Sequence, residues 1–370
     1  MEITRTLFES QQQRRFGTSN PERMPLAFWE WMIRRSEEGR LRVWTEEEEP
    51  PVPRHTPYQL RTYFGQDGDY SKGPVWNFDR MGATRTPHPD GRMICIAGEH
   101  EDHYDPDFCI YNDVVVLDLD GSVAIYGYPE DVFPPTDFHS ATLVGDRVIV
   151  IGRLGYMGDR RPGVTPVMAL DLAGYQIREL PSRGERPGWI FGHEAALGPE
   201  GITIRGGEIH EEVGGEVRIR RNFDDFLYDP ATGNWKRLTD RRWRQFSICD
   251  EENKVFMKGA PFRGCCSMDG ESWKGESPEM PDLGDTFIYV RPEALFPRGF
   301  EYETVSSEEF SPEDRIAVDG IEVSIKVESF AIEVMIEGEM DDARANALVQ
   351  DIREGVEADT GRPCVVKTYP

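Results

Sequence analysis

The sequence predicts a mainly β protein organised around a β-propeller, and three recurring landmarks carry that prediction. Apolar runs that end in glycine, Met93-Ile-Cys-Ile-Ala-Gly98, Arg147-Val-Ile-Val-Ile-Gly152 and Ile202-Thr-Ile-Arg-Gly-Gly207, close 54 and 55 residues apart. Ahead of two of them stand His139-Ser-Ala-Thr-Leu143 and His193-Glu-Ala-Ala-Leu197, again 54 apart. Behind them stand Val115-Val-Leu-Asp118, Met168-Ala-Leu-Asp171 and Phe226-Leu-Tyr-Asp229. Four short strands fit in about fifty residues, and one such unit cannot bury both of its faces; stacking copies around an axis buries them and leaves few open edges.

Residues 1–74 do not share the repeat. Asn20-Pro21-Glu22 is a helix opening, and Phe28, Trp29, Met32 and Ile33 recur at helical spacing until Gly39. Glu46-Glu-Glu-Glu-Pro-Pro-Val-Pro53 then reads as an acidic, proline-rich linker, with a second short helix near Tyr58–Phe64. The expected organisation is therefore a helical extension over 1–74, the propeller over 75–299 and a separate module over 300–370. In that last module Ile321, Val323, Ile325 and Val327 alternate, as do Phe330, Ile332, Val334 and Ile336, which predicts two half-buried strands. Asp341-Asp342 opens a helix with Ala345, Leu348, Val349, Ile352 and Val356 on one stripe, Gly361 stops it, and Cys364-Val-Val-Lys-Thr368 returns as a strand. The order is β-β-α-β, a small α+β module.

The third copy of the repeat is the fullest. Gly206-Gly207 is followed by Tyr228-Asp-Pro-Ala-Thr-Gly-Asn-Trp235, an aromatic pair seven apart around a turn. These residues resemble kelch repeats, over roughly positions 75–280. The other copies are degenerate: Ala97-Gly98 and Ile151-Gly152 keep one glycine, and Leu117 and Leu170 stand where Tyr228 does. A fourth copy is expected from Lys254–Gly259 to Ser267–Trp273, and a fifth from Val75–Phe78 with Thr286–Val290, giving about five blades within a range of four to seven. The resemblance implies a rigid disc whose loops grip another macromolecule, and it makes Gly98, His139, Gly152, His193, Gly206, Gly207, Tyr228 and Trp235 structural repeat residues.

The densest polar cluster is Glu99-His-Glu-Asp-His-Tyr-Asp-Pro-Asp107. Its imidazoles and carboxylates are groups that a divalent metal accepts. His100 and His103 are three apart, so they miss the four-residue helical spacing of a zincin, and the oxygen spacing misses an EF-hand. The expected binding residues are Glu99, His100, Glu101, Asp102, His103, Asp105 and Asp107, with Trp189 either on a binding face or packed between blades. Asp137, Asp224 and Asp225 are further loop carboxylates without distinctive spacing. His139 and His193 recur at the repeat period, which points to structural roles bonded to a neighbouring strand. There is no Walker loop, no G-x-S-x-G elbow and no dinucleotide-binding glycine pattern.

Charge narrows the choice of partner. Forty-two basic and 68 acidic side chains leave a net charge of −26, a field that opposes nucleic acid and favours a basic protein. Residues 300–370 hold 18 acidic and 6 basic side chains, net −12. No run of eighteen apolar residues is present, so no membrane is expected. The start carries no charged-then-apolar leader, and the six cysteines, Cys265-Cys266 among them, form no C-x-x-C pair, so free thiols in the cytoplasm are expected. Two functions fit. One is a cytoplasmic protein-binding module, for instance an immunity-type neutraliser of a basic toxin domain, with no cofactor. The other is a metal-dependent enzyme with its site in the propeller funnel and a divalent metal on His100 and His103.

Overall fold

The structure is a computed structural model, and it describes residues 4–11, 13–41, 78, 80–100, 108–213, 215–259, 287–307 and 311–369. The chain is mainly β, with several antiparallel sheets, and divides into two compact units, Met1–Asp240 and Arg241–Pro370.

The first unit holds three four-stranded antiparallel meanders. The first runs through Thr84–Pro87, Met93–Ile96, Val114–Leu117 and Val123–Gly127, with Glu22–Arg23 added along its last strand. The second runs through Ser140–Val144, Arg147–Ile151, Val167–Asp171 and Ile177–Glu179. The third runs through Glu194–Gly198, Gly201–Arg205, Phe226–Asp229 and Asn234–Arg237, with Arg183–Gly184 lying parallel to its last strand. The sheets pack face to face. Ile94, Ile96, Val114 and Val116 meet Val148, Val150 and Leu170, while Ile149, Ile151 and Ala169 on the other face of the second sheet meet Ile202, Ile204, Phe226 and Tyr228. A strand buried on both faces has no polar side to alternate with, which is why Val148-Ile-Val-Ile151 reads as a continuous apolar run.

Two helices, α1 (Arg5–Gln11) and α2 (Ala27–Leu41), cover the outer face of the first sheet. Phe8, Phe28, Trp29, Met32 and Ile33 pack there on Cys95, Val115, Val123 and Ile125. Each such buried side chain contributes about 1.5–3 kcal/mol. The expected helix start is corrected. Glu22–Arg23 is a strand, α2 begins at Ala27, and Gly39 lies within it. Asn20 instead clips the edge of the second sheet, donating to Ile177 O at 2.6 Å and accepting from Ile177 N at 2.8 Å. The acidic linker at 46–53 and the short helix expected at 58–64 lie outside the described residues.

The second unit is a six-stranded antiparallel sheet in the order Glu303–Ser306, Glu313–Val318, Ile321–Glu328, Ala331–Glu337, Arg244–Asp250, Cys364–Tyr369. Helix α3 (Asp342–Thr360) buries Ala345, Leu348, Val349, Ile352 and Val356 with Phe246, Ile248, Val323, Ile325, Val334 and Ile336. The Asp341 carboxylate caps it, accepting from Arg344 N at 2.9 Å, and Gly361 ends it in a left-handed conformation. The expected β-β-α-β order is present with three further strands. The expected boundary at 299/300 is not where the units divide, because Arg244–Asp250 pairs between Ala331–Glu337 and Cys364–Tyr369. The described parts of the fourth and fifth repeat copies do not form a meander, and residues 75–77 and 286 lie outside the described residues. Val255–Lys258 pairs in parallel with Phe287–Val290 inside this unit, whereas a meander needs an antiparallel neighbour. Cys265-Cys266 and Ser267–Trp273 lie outside the described residues.

Candidate functional site

In each meander the connection after the second strand and the connection leaving the fourth strand emerge at the same end, because successive strands are antiparallel. That end of the first unit gathers the polar residues. Glu99 and His100 start a hairpin with Cys109–Ile110; Arg153, Gly155 and Arg160 lie in the connection after Arg147–Ile151; His210 lies on Glu208–Val213, which pairs with Trp189–Phe191 and Glu216–Arg221. Asp137 comes from the crossing between the first and second sheets, and Trp189 from the crossing between the second and third.

The two periodic histidines bridge neighbouring sheets. His139 Nε2 lies 2.8 Å from the Thr84 hydroxyl on the first strand of the first meander, and His193 Nε2 lies 2.9 Å from the Ser140 hydroxyl on the first strand of the second. Burial pushes His139 down to about 3, with the nearby His193 adding to it, and burial takes His193 down to about 4. Both imidazoles are therefore neutral in the folded chain. Gly152 explains the close approach of the second sheet to the Trp189–Phe191 strand. It has φ +71°, and a Cβ there would sit 2.3 Å from Ile190 O. Gly98, Gly206 and Gly207 end the corresponding strands, also at positive φ. Tyr228 and Trp235 fix the crossing into the third sheet. Their rings are 4.8 Å apart, the Tyr228 hydroxyl donates to Pro181 O at 3.0 Å, and Trp235 Nε1 donates to Ser182 Oγ at 2.9 Å.

Asp137 is the centre of the loop end. Its side chain is wholly buried, Oδ1 accepts from Gly155 N at 2.6 Å, and the Glu99 carboxyl is in hydrogen-bonding contact with it. Burial raises the Asp137 carboxyl above its ordinary range; the Gly155 N–H, the Glu99 contact and the charges of Arg153 and Arg160 only partly offset that. Arg153 donates to Pro135 O at 2.7 Å and lies over the Trp189 ring at 5.0 Å, and Arg160 donates to Gly155 O at 3.2 and 3.1 Å. Burial lowers both guanidinium groups.

Of the expected binding residues, Glu99 is in this cluster and 6% exposed, and His100 is half-buried beside it. Glu101, Asp102, His103, Asp105 and Asp107 lie outside the described residues. Trp189, offered by the sequence as a binding-face contact or an inter-blade packing residue, is packed. It is 2% exposed and its Nε1 donates to Leu154 O at 3.1 Å. Among the described residues no three His, Cys, Asp or Glu side chains converge as a metal site. Sequence reasoning missed Arg153 and Arg160 and gave Asp137 no role. One signal was available, since Glu99 and Arg153 each follow a repeat glycine, 54 residues apart.

No family model matches the chain, and no curated protein does. Among solved structures it is similar to one titled "Structure of YjhT", with 10% sequence identity and a TM-score of 0.34 over 80% of this chain and 71% of that one. At that score the likeness carries no argument about fold or activity.

Proposed function

We propose that the first unit is part of a kelch-like β-propeller and that the protein is a cytoplasmic binding module for a basic protein partner. Three meanders packed face to face, with histidines bridging adjacent first strands, support the radial arrangement. The net charge of −26 is the observation that carries the functional reading. A field of that sign draws in a basic surface over long range and is screened by salt. An immunity-type neutraliser that covers the working surface of a basic toxin domain is one concrete form. No cofactor is needed for it. The full chain, immobilised and exposed at low salt to extract of its native host, is expected to retain a basic protein in stoichiometric amount. Retention of acidic proteins only, or of none, would overturn the reading.

A further inference from the structure

Glu216–Arg221 is an edge strand. It ends a three-stranded sheet in the order Trp189–Phe191, Glu208–Val213, Glu216–Arg221, and among the described residues no strand pairs with its outer side. The other edge of that sheet is closed, since Ile190 O accepts from Arg153 N at 3.0 Å and Gly192 N donates to Phe138 O at 2.7 Å. One further bond fixes which way the open edge points its backbone. Asn222 N donates to Gly207 O at 2.8 Å, in register with the ladder, and bonded positions alternate along an antiparallel pair. Arg218 and Arg220 therefore turn their N–H and C=O towards Glu208–Val213, whereas Val217 and Ile219 turn theirs outward. Val217 stands opposite Glu212 and Ile219 opposite His210, so the two apolar side chains share one face, 59% and 43% exposed. Edges are commonly blunted by proline or by charge. This strand has no proline, and Glu211 holds Arg218 at 2.6 Å and Arg220 at 2.7 Å on the opposite face. Outward amides beside exposed β-branched side chains are what an added strand needs.

The strand also complements itself. Outward groups meet only where odd positions oppose odd positions. Turned antiparallel about Arg218, Val217 of one copy stands opposite Ile219 of the other, and Ile219 opposite Val217. Each of these pairs exchanges both N–H···O=C bonds, and the β-branched side chains of the two copies adjoin on one face. Centring on Ile219 instead sets Val217 against Arg221, and centring on Val217 sets Ile219 against Gly215, so neither matches as well. Long-range repulsion opposes any self-association of a chain with net charge −26. Glu216–Arg221 itself holds three arginines against one glutamate, so the opposition comes from the rest of the chain and is screened by salt.

We propose that Glu216–Arg221 pairs antiparallel with the same strand of a second copy, joining two chains in a two-fold dimer through Val217 and Ile219. The contact does not depend on the basic partner. Dimerisation tightens as salt rises, the reverse of the salt dependence expected for that partner.

The test uses the full chain. Sedimentation over a concentration series at high salt is expected to show a monomer–dimer equilibrium. Hydrogen exchange at the Val217 and Ile219 amides is expected to slow as concentration rises, while the Arg218 and Arg220 amides, bonded within the ribbon, stay protected throughout. Val217→Lys/Ile219→Lys sets like charges opposite one another across the contact and is expected to weaken dimerisation about tenfold or more. Ile219→Pro removes an N–H that points outward, is expected to weaken it likewise, and serves if the lysine variant does not fold. A chain that stays monomeric across the series overturns the proposal. So does a dimer that persists undiminished in the folded variants, or one that leaves the Val217 and Ile219 amides unprotected.

Discussion

Lowering the pH from 7 to 5 is expected to cost the first unit about 4 kcal/mol through His139 and His193. Each imidazole is buried, and among the described residues its Nδ1 has no partner while Nε2 meets a hydroxyl. An unfolded histidine titrates near 6.5, whereas these two are depressed to about 3 and about 4 by burial. Below 6.5 the unfolded chain therefore binds more protons than the folded one. The stability is fully present above that pH and is lost as pH falls towards the folded values. At pH 5 both folded values still lie below the solution pH, so the loss depends only on the unfolded value, about 2 kcal/mol for each histidine. Urea unfolding at pH 7, 6 and 5 measures it. The double variant His139→Gln/His193→Gln retains a polar group near each hydroxyl but does not titrate. Its stability should fall by about 4 kcal/mol less than that of the wild type over the same interval, which cancels contributions from every other acid in a chain of net charge −26. Equal pH dependence in the two proteins would refute the reasoning.

Two further expectations concern packing. Gly152→Ala should cost several kcal/mol, since it combines a left-handed φ with a Cβ 2.3 Å from Ile190 O, whereas Gly206→Ala, at φ +59° with open space around it, should cost about 1–2 kcal/mol; denaturant midpoints of the two variants decide. In the second unit Lys258 Nζ meets Asp314 Oδ1 at 2.8 Å with both side chains buried, so Lys258→Met should cost about 3–5 kcal/mol and Lys258→Met/Asp314→Leu should recover most of it, as measured by chemical unfolding.

What the sequence made legible was what is local or periodic. The spacing of 54 placed three of the meanders because each copy is a contiguous stretch of chain. Alternation at Ile321–Val327 and Ile332–Ile336 and the stop at Gly361 placed the hairpin and α3, again from neighbouring residues, whereas Phe330, expected on the second strand, lies exposed in the turn before it. Arg244–Asp250 was missed because its partners stand about ninety and a hundred and twenty residues later, and pairing over such distances leaves no period in the sequence. Charge spacing also failed at the loop end. Glu99 and Asp137 are brought together by the crossing between two sheets, and Arg153 and Arg160 enter from the next one. The helical N-terminal segment misled for a different reason: Asn20 resembles a helix cap, but its amide matches a free strand edge at Ile177.

The functional account turns on electrostatic attraction between this acidic chain and a basic protein. The most direct measurement is the association rate of the full chain with its purified host partner as salt is raised. The account predicts fast association that slows steeply with ionic strength. A rate indifferent to salt, or a partner of the same sign of charge, would contradict it.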